Sequence, residues 1–121
     1  MNERIHFFSY QKKQILLVDF SNCSSSDVEK IARAVPDYVS TQPRGSVLVL
    51  SDFTGASFDP DAIRTIKETA VFDKPYINKS ALVGGGNLSN VLGENLKDFS
   101  RREFPAFKTR QEALSWLVGN E

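Results

Sequence analysis

Three short runs of consecutive apolar residues, each followed by a segment with helical periodicity, constrain the fold of this chain more than any other feature. The runs are ILLV at 15–18, VLVL at 47–50 and ALV at 81–83. Continuous apolar runs of this length are typical of strands that are covered on both faces. Strands that alternate with helices favour a parallel sheet with right-handed crossovers. We therefore predict an α/β fold.

The remaining segments complete a prediction of about five strands and four helices in the order β-β-α-β-α-β-α-β-α. The polar pair KK, between RIHFFSYQ and QILLVDFS, predicts an antiparallel N-terminal hairpin. FPAF is expected to be an edge strand, because Pro105 cannot donate a ladder hydrogen bond. The helices are expected to start at Ser26, Asp59 and Thr109, with a further one over Leu88–Phe99, and a kink or early stop at Pro36. Residues 1–121 are predicted to form a single layered domain with a mostly parallel sheet.

Charge and hydropathy exclude several classes of function. Fifteen basic residues balance fifteen acidic ones, so no overall field attracts nucleic acid, and we predict no nucleic-acid partner. The basic residues near the C-terminus are interpreted as a solvated face: Arg101, Arg102, Lys108 and Arg110. No apolar run reaches transmembrane length, so no integral membrane segment is expected. The lack of a signal-peptide pattern and the single cysteine predict a cytoplasmic protein.

No catalytic or cofactor motif is complete in the sequence. Cys23 precedes a predicted helix and His6 lies in a predicted strand, but neither has a sequence partner that would indicate a nucleophile. One histidine and one cysteine are too few for a structural zinc site. The glycine run lacks the Gly-Lys-Ser/Thr of a phosphate loop, and Ser89 stands where a dinucleotide fingerprint needs its third glycine. We predict no enzymatic activity, no catalytic residue, no metal and no cofactor.

The carboxyl ends of two predicted strands form the candidate binding site. Ligands of open α/β sheets gather at such ends, and the run GGG at 84–86 lies between a strand and a predicted helix, where unpaired N–H groups favour anions. The alternative is a tight strand-to-helix turn that needs positive φ. The predicted site comprises Ser51, Asp52, Thr54, Gly84, Gly85, Gly86 and Asn87. Because Asp52 would repel a strongly charged anion, we expect a polar, neutral or weakly acidic ligand, or a partner backbone.

The stretch VLVLSDFTG raises the alternative of a receiver-like phospho-acceptor at Asp52. ILLVDFS, VLVLSDFTG and FPAFKT resemble the first, phosphorylation and lysine strands of response-regulator receivers. A receiver, however, has two adjacent acids after its first strand, and Asp19 is followed by Phe20. Gly84 stands where a receiver carries a hydroxyl. The alternative interpretation of Asp52 is an acid at the end of a strand.

The C-terminal part of the chain resembles small bacterial proteins of the STAS/SpoIIAA-like group, which share a fold with CRAL-TRIO (Sec14) domains. The resemblance rests on KSALVG, on DFSRR and on the pattern F-x-T-x-x-E-A-L-x-W-L. In anti-sigma-factor antagonists of the STAS class, a loop Asp-Ser-Ser/Thr-Gly carries a phosphorylated serine. Here SFDPDA places Asp59 on the aspartate, Pro60 on the serine and Ala62 on the glycine. Proline has no hydroxyl, so Asp59 and Pro60 are interpreted as an N-cap and a first helical residue.

The resemblance implies a non-catalytic regulatory or ligand- or protein-binding STAS-like module. Its partner would be a protein or a small ligand, and homodimer formation is left open. Besides the receiver, the Sec14 side of the fold implies another alternative, a binder of a small lipid or apolar ligand. A deep apolar cavity would favour that binder, whereas a flat surface around SDFTGASFDPDA with a self-association face would favour the regulator.

Overall fold

The described part of the chain forms a five-stranded mixed sheet. The computed structural model describes residues 3–84, 92–93, 96–97 and 103–119. The strands are β1 (Ile5–Tyr10), β2 (Lys13–Asp19), β3 (Val47–Asp52), β4 (Ile77–Val83) and β5 (Ala106–Phe107). They lie in the order β1-β2-β3-β4-β5, and only β1 and β2 are antiparallel to each other. The prediction of a mostly parallel sheet that opens with an antiparallel hairpin is confirmed.

Three α-helices lie within the part of the chain that the structure describes. They are α1 (Ser25–Val39), α2 (Pro60–Asp73) and α3 (Arg110–Val118), and a 3₁₀ turn at Lys74–Tyr76 follows α2. This number differs from the four helices predicted. The fourth, predicted over Leu88–Phe99, falls largely outside the described residues.

The apolar runs are continuous because both faces of the sheet are covered. Leu16 and Val18 of β2 pack into a core with α1 and α2, whereas the alternate residues Ile15 and Leu17 pack against α3 on the opposite face. Successive side chains of a strand point to opposite faces, so a strand covered twice needs apolar residues at every position. Each of these side chains stabilises the fold by about 1.5–3 kcal/mol when fully buried.

Two predicted helix starts agree with the structure. The Asp59 carboxylate accepts a hydrogen bond from the Ala62 N–H at 2.9 Å, with Pro60 as the first residue of α2. The Thr109 hydroxyl accepts one from the Glu112 N–H at 3.1 Å at the start of α3. Each cap satisfies a backbone donor that the first turn of a helix leaves unpaired.

The start of α1 differs from the prediction, and the early stop considered at Pro36 does not occur. The N-cap is Ser24, whose hydroxyl accepts from the Asp27 N–H at 3.2 Å, and not Ser26. Pro36 does not stop the helix, which continues to Val39. Val35 and Val39 are buried in the core beneath this turn, and their packing holds the last turn in place despite the missing donor.

The hairpin turn consists of Gln11 and Lys12, with φ values of 48° and 68°. The predicted turn was the KK pair, but Lys13 already belongs to β2. A two-residue hairpin loop of this kind needs positive φ at both positions to match the twist of its strands. Neither residue is a glycine or an asparagine, so the residue types did not indicate where the turn lies.

Candidate functional site

Strands β2 and β3 end in two similar turns that lie side by side. The sequences are DFSN at 19–22 and DFTG at 52–55, and Asp19 is paired with Asp52 in the parallel register. In each turn the aspartate accepts a hydrogen bond of 2.9 Å from the backbone N–H two residues later. The two phenylalanine rings stack, with centroids 4.4 Å apart. Both aspartates therefore organise the ends of their strands.

Arg110 connects both aspartates to the start of α3. Its Nε lies 2.6 Å from Oδ2 of Asp52, and its Nη2 lies 3.5 Å from Oδ1 of Asp19. The Asp52 side chain is only 7% exposed. A positive charge at the N-terminus of a helix is disfavoured by the helix dipole, so the carboxylates, and not α3, stabilise Arg110. Arg110, which was interpreted as part of a solvated basic face, is 43% exposed and in addition pairs with both aspartates.

The Asp19 carboxyl group keeps its charge in this environment. Burial alone would raise its pKa, but the hydrogen bonds from Ser21 and the charges of Arg110 and Arg4 outweigh that effect, and the pKa of Asp19 is lowered below 3.8. Arg4 lies 3.8 Å from the carboxylate. The two aspartates and two arginines therefore form an ion-pair cluster at the carboxyl edge of the sheet.

Cys23 lies next to this edge as a thiol. Burial raises its pKa, the charge of Arg4 acts in the opposite direction, and Asp27 and Asp19 raise it further. A thiol with a raised pKa is a poor nucleophile, because the thiolate is the reactive form.

The four residues of the predicted site that the structure describes, Ser51, Asp52, Thr54 and Gly84, make separate contacts. Ser51 faces α1 and α2, whereas the neighbouring Asp52 reaches Arg110 at the start of α3. The Thr54 N–H is bound to Asp52. The Gly84 N–H donates to the carbonyl of Phe107 at 3.0 Å as part of the sheet, so this donor is not directed at a ligand. The other predicted residues, Gly85, Gly86 and Asn87, lie outside the described residues.

A cavity of about 70 Å³ lies between the sheet and the helices α1 and α2. Most of its lining consists of valine, isoleucine, leucine, phenylalanine and alanine side chains. Four polar side chains interrupt this lining: Ser51, Thr69, Asp73 and Ser80. Apolar walls with a few polar groups are the usual composition of small-molecule sites.

The polar residues of the cavity occupy positions where an apolar side chain would be expected. Ser80 of β4 and Asp73 of α2 are each 6% exposed. Ser51 and Ser80 lie on adjacent strands of the sheet and face the helices. A buried hydroxyl or carboxyl group costs free energy unless it is hydrogen-bonded, and Ser80 and Asp73 both have interaction partners. Ser80, within the buried segment INKSALV, lines this cavity and was not among the residues predicted for the site.

Comparison with solved structures assigns the fold. A crystal structure of a DUF3478-family protein with a SpoIIAA-like fold, from Shewanella loihica PV-4, matches 94% of this chain and 92% of its own length, with a TM-score of 0.69 and 19% sequence identity. This chain has a SpoIIAA-like fold. The fold implied by the STAS/SpoIIAA resemblance is thereby confirmed. No protein-family model matches the sequence, and neither does any curated protein.

Two further observations concern membranes and metals. Within the described residues, no helix is long and apolar enough to span a bilayer. The same part of the chain contains no group of three or more histidine, cysteine, aspartate or glutamate side chains placed to hold a metal ion.

Proposed function

We propose that the protein is a non-catalytic binding module whose ligand is a small, mainly apolar molecule with one hydrogen-bonding group. The observation that carries this proposal is the lining of the cavity between the sheet, α1 and α2. Its walls are apolar, while Ser51 and Ser80 place hydroxyls on the sheet side. The apolar body of the ligand would pack against Val49, Ile66 and Leu82, and its polar group would bond to the Ser51 hydroxyl.

The size of the cavity limits the ligand. Sites for drug-sized molecules measure roughly 300–1,000 Å³, against about 70 Å³ here. A short alcohol or a similarly small molecule fits the cavity as it stands. A ligand with the length of a fatty acid enters only if the helices on this face move away from the sheet.

The surroundings of Asp52 support a binding module over a receiver-like phospho-acceptor. A phospho-accepting aspartate needs a free carboxylate oxygen for attack on phosphorus. Oδ1 of Asp52 accepts from the Thr54 N–H at 2.9 Å, and Oδ2 accepts from Arg110 at 2.6 Å. Both oxygens of the carboxylate thus accept hydrogen bonds, one from the turn after β3 and one from the first residue of α3.

Ligand titrations followed by amide NMR shifts test the location of the site. Straight-chain alcohols and fatty acids of increasing length are added to the full chain. We expect saturable shifts at Val49, Ser51 and Ser80, and weaker binding in Ser51→Ala, which loses one hydroxyl of the cavity lining. Shifts clustered instead at Thr54 and Gly84 would move the site to the carboxyl edge of the sheet and overturn the cavity proposal.

A further inference from the structure

The two edges of the sheet differ in how they are protected. At one edge, β5 has only two residues, follows Pro105 and precedes Lys108. At the other edge, β1 has six residues, IHFFSY, without proline, lysine or an acidic residue. Its pairing with β2 is regular over its whole length, without a bulge. Short strands, prolines, charges and bulges are the usual means of blocking an edge, and β1 has none of them.

The register of the hairpin shows which backbone groups face outward. The Asp19 N–H donates to the Arg4 carbonyl at 2.8 Å, so this pair is a hydrogen-bonded pair. Such pairs alternate along an antiparallel ladder, and the even-numbered residues of β1 therefore bond to β2. The N–H and C=O groups of Phe7 and Ser9 point away from the sheet. Those of Ile5 do so too, but Ile5 is only 2% exposed.

We propose that two copies of this chain pair antiparallel through their β1 strands, giving a continuous sheet across a two-fold axis. Phe8 lies on the axis, opposite Phe8 of the second copy. Phe7 lies opposite Ser9 in both directions, and these two pairs form the backbone hydrogen bonds of the interface. When the pairing is centred on Phe8, the outward-facing backbone groups of Phe7 and Ser9 in one copy lie opposite those of Ser9 and Phe7 in the other.

The side chains of β1 fit a second copy of the same strand. Phe8 and Tyr10 pack on the α3 side of the sheet, and the ring of His6 lies 6.3 Å from that of Phe8 on the same face. In the proposed register, Phe8 faces Phe8 and His6 faces Tyr10. Cross-strand aromatic pairs of this kind stabilise a sheet, and a two-fold axis supplies each contact twice.

The charges near the strand oppose this pairing only at its two ends. Residues 5–10 include no lysine, arginine, aspartate or glutamate. Arg4 of one copy comes opposite Lys12 of the other at each end of the interface. Asp19 lies 3.8 Å from Arg4 and offsets that repulsion, so the central pairs determine the outcome.

A cysteine placed on the axis tests the register directly. In Phe8→Cys, made together with Cys23→Ser, the two new cysteines would have Cα atoms about 4.5 Å apart, which is within the range of a disulfide. Mild oxidation should convert this variant to a covalent dimer. The matched control is His6→Cys in the same background, whose two cysteines would lie about 13 Å apart along the strands and should not form a covalent cross-link. Equal cross-linking of both variants, or none from position 8, would overturn the proposal.

Sedimentation of variants without cross-linking provides the second test. The Ser9 N–H points outward, so Ser9→Pro removes interface donors but no bond to β2. We expect the unmodified chain and Ser9→Ala to sediment as dimers and Ser9→Pro as a folded monomer. An unmodified chain that remains monomeric at the concentrations used for NMR contradicts the proposal. A dimer that persists unchanged in Ser9→Pro also contradicts it.

Discussion

The Arg110 guanidinium lies 2.6 Å from the buried carboxylate of Asp52, and this contact ties the start of α3 to the end of β3. The same guanidinium reaches Asp19 at the end of β2. The ends of two neighbouring strands and the last helix therefore share one charge cluster. This explains why a covered strand ends in the acidic residue Asp52. Its charge is paired with that of Arg110, which lies on the helix that covers the strand.

Replacing Arg110 should destabilise the fold. Arg110→Gln leaves the nearly buried Asp52 without its charged partner, which costs about 1–3 kcal/mol. The matched control is Arg64→Gln, because Arg64 pairs with Asp61 at 2.8 Å while both side chains are 66% exposed. The loss of such an exposed pair costs about 1 kcal/mol or less. Urea unfolding measures the free energy of unfolding of both variants. Equal decreases in the two would show that the Arg110–Asp52 pair stabilises the fold no more than an exposed ion pair does.

The lowered pKa of Asp19 predicts a loss of stability in acid. A carboxyl group whose folded pKa is below its unfolded value stabilises the fold fully above that unfolded value, near 3.8, and the stabilisation is lost as the pH falls through the folded pKa. Asp19→Asn should therefore flatten the fall in unfolding free energy below that pH. The control is Asp37→Asn, an exposed position on α1. An unchanged acid profile in Asp19→Asn contradicts the assigned charge cluster.

Asp52 should not accept a phosphoryl group. Both of its oxygens are engaged, one by the Thr54 N–H and one by Arg110. After incubation with a small-molecule phosphodonor and Mg²⁺, the intact mass of the protein should be unchanged. A stoichiometric adduct that disappears in Asp52→Asn would restore the receiver interpretation.

The hairpin turn offers a stabilising change. Gln11 and Lys12 both adopt positive φ, which costs about 1–2 kcal/mol for each residue other than glycine or asparagine. The double change Gln11→Asn and Lys12→Gly should therefore raise the free energy of unfolding by about 1 kcal/mol or more. Glycine one position later, in Lys13→Gly, falls within β2 and should lower it by about 0.5–1 kcal/mol. Thermal unfolding distinguishes the two, and the same sign for both would refute the turn assignment.

The sequence predicted the strands well because their signal is local. Runs that are apolar at every position, such as ILLV and VLVL, are typical of strands covered on both faces of the sheet. They therefore indicate both the strand and the presence of helices on its two faces. The caps at Asp59 and Thr109 were equally local. The segment SNCSSSD, by contrast, contains four serines, several of which could cap a helix, and the true cap at Ser24 was missed.

The contacts of the candidate site were beyond reach from the sequence because they join distant residues. Arg110 and Asp52 are 58 positions apart, and their meeting depends on where α3 crosses the sheet. Ser51 and Asp52 point to opposite faces of the sheet because successive side chains of a strand alternate. The sequence did not show which of the two faces held a cavity. Cavity volume depends on how side chains from five elements pack, and no single segment encodes it.

The central claim is that the cavity between the sheet and α2 binds the ligand, and blocking the cavity tests it most directly. Ala70 lines the cavity from α2 and is buried, while the adjacent Val71 is 45% exposed. Ala70→Leu adds bulk within the cavity, and Val71→Leu adds the same side chain outside it. Binding of the alcohol or fatty acid with the strongest NMR response is measured by calorimetry, after thermal unfolding confirms that both variants are folded. We predict at least about tenfold weaker binding in Ala70→Leu, equivalent to about 1.4 kcal/mol, and unchanged binding in Val71→Leu. Equal affinities in the two variants would contradict the cavity as the binding site.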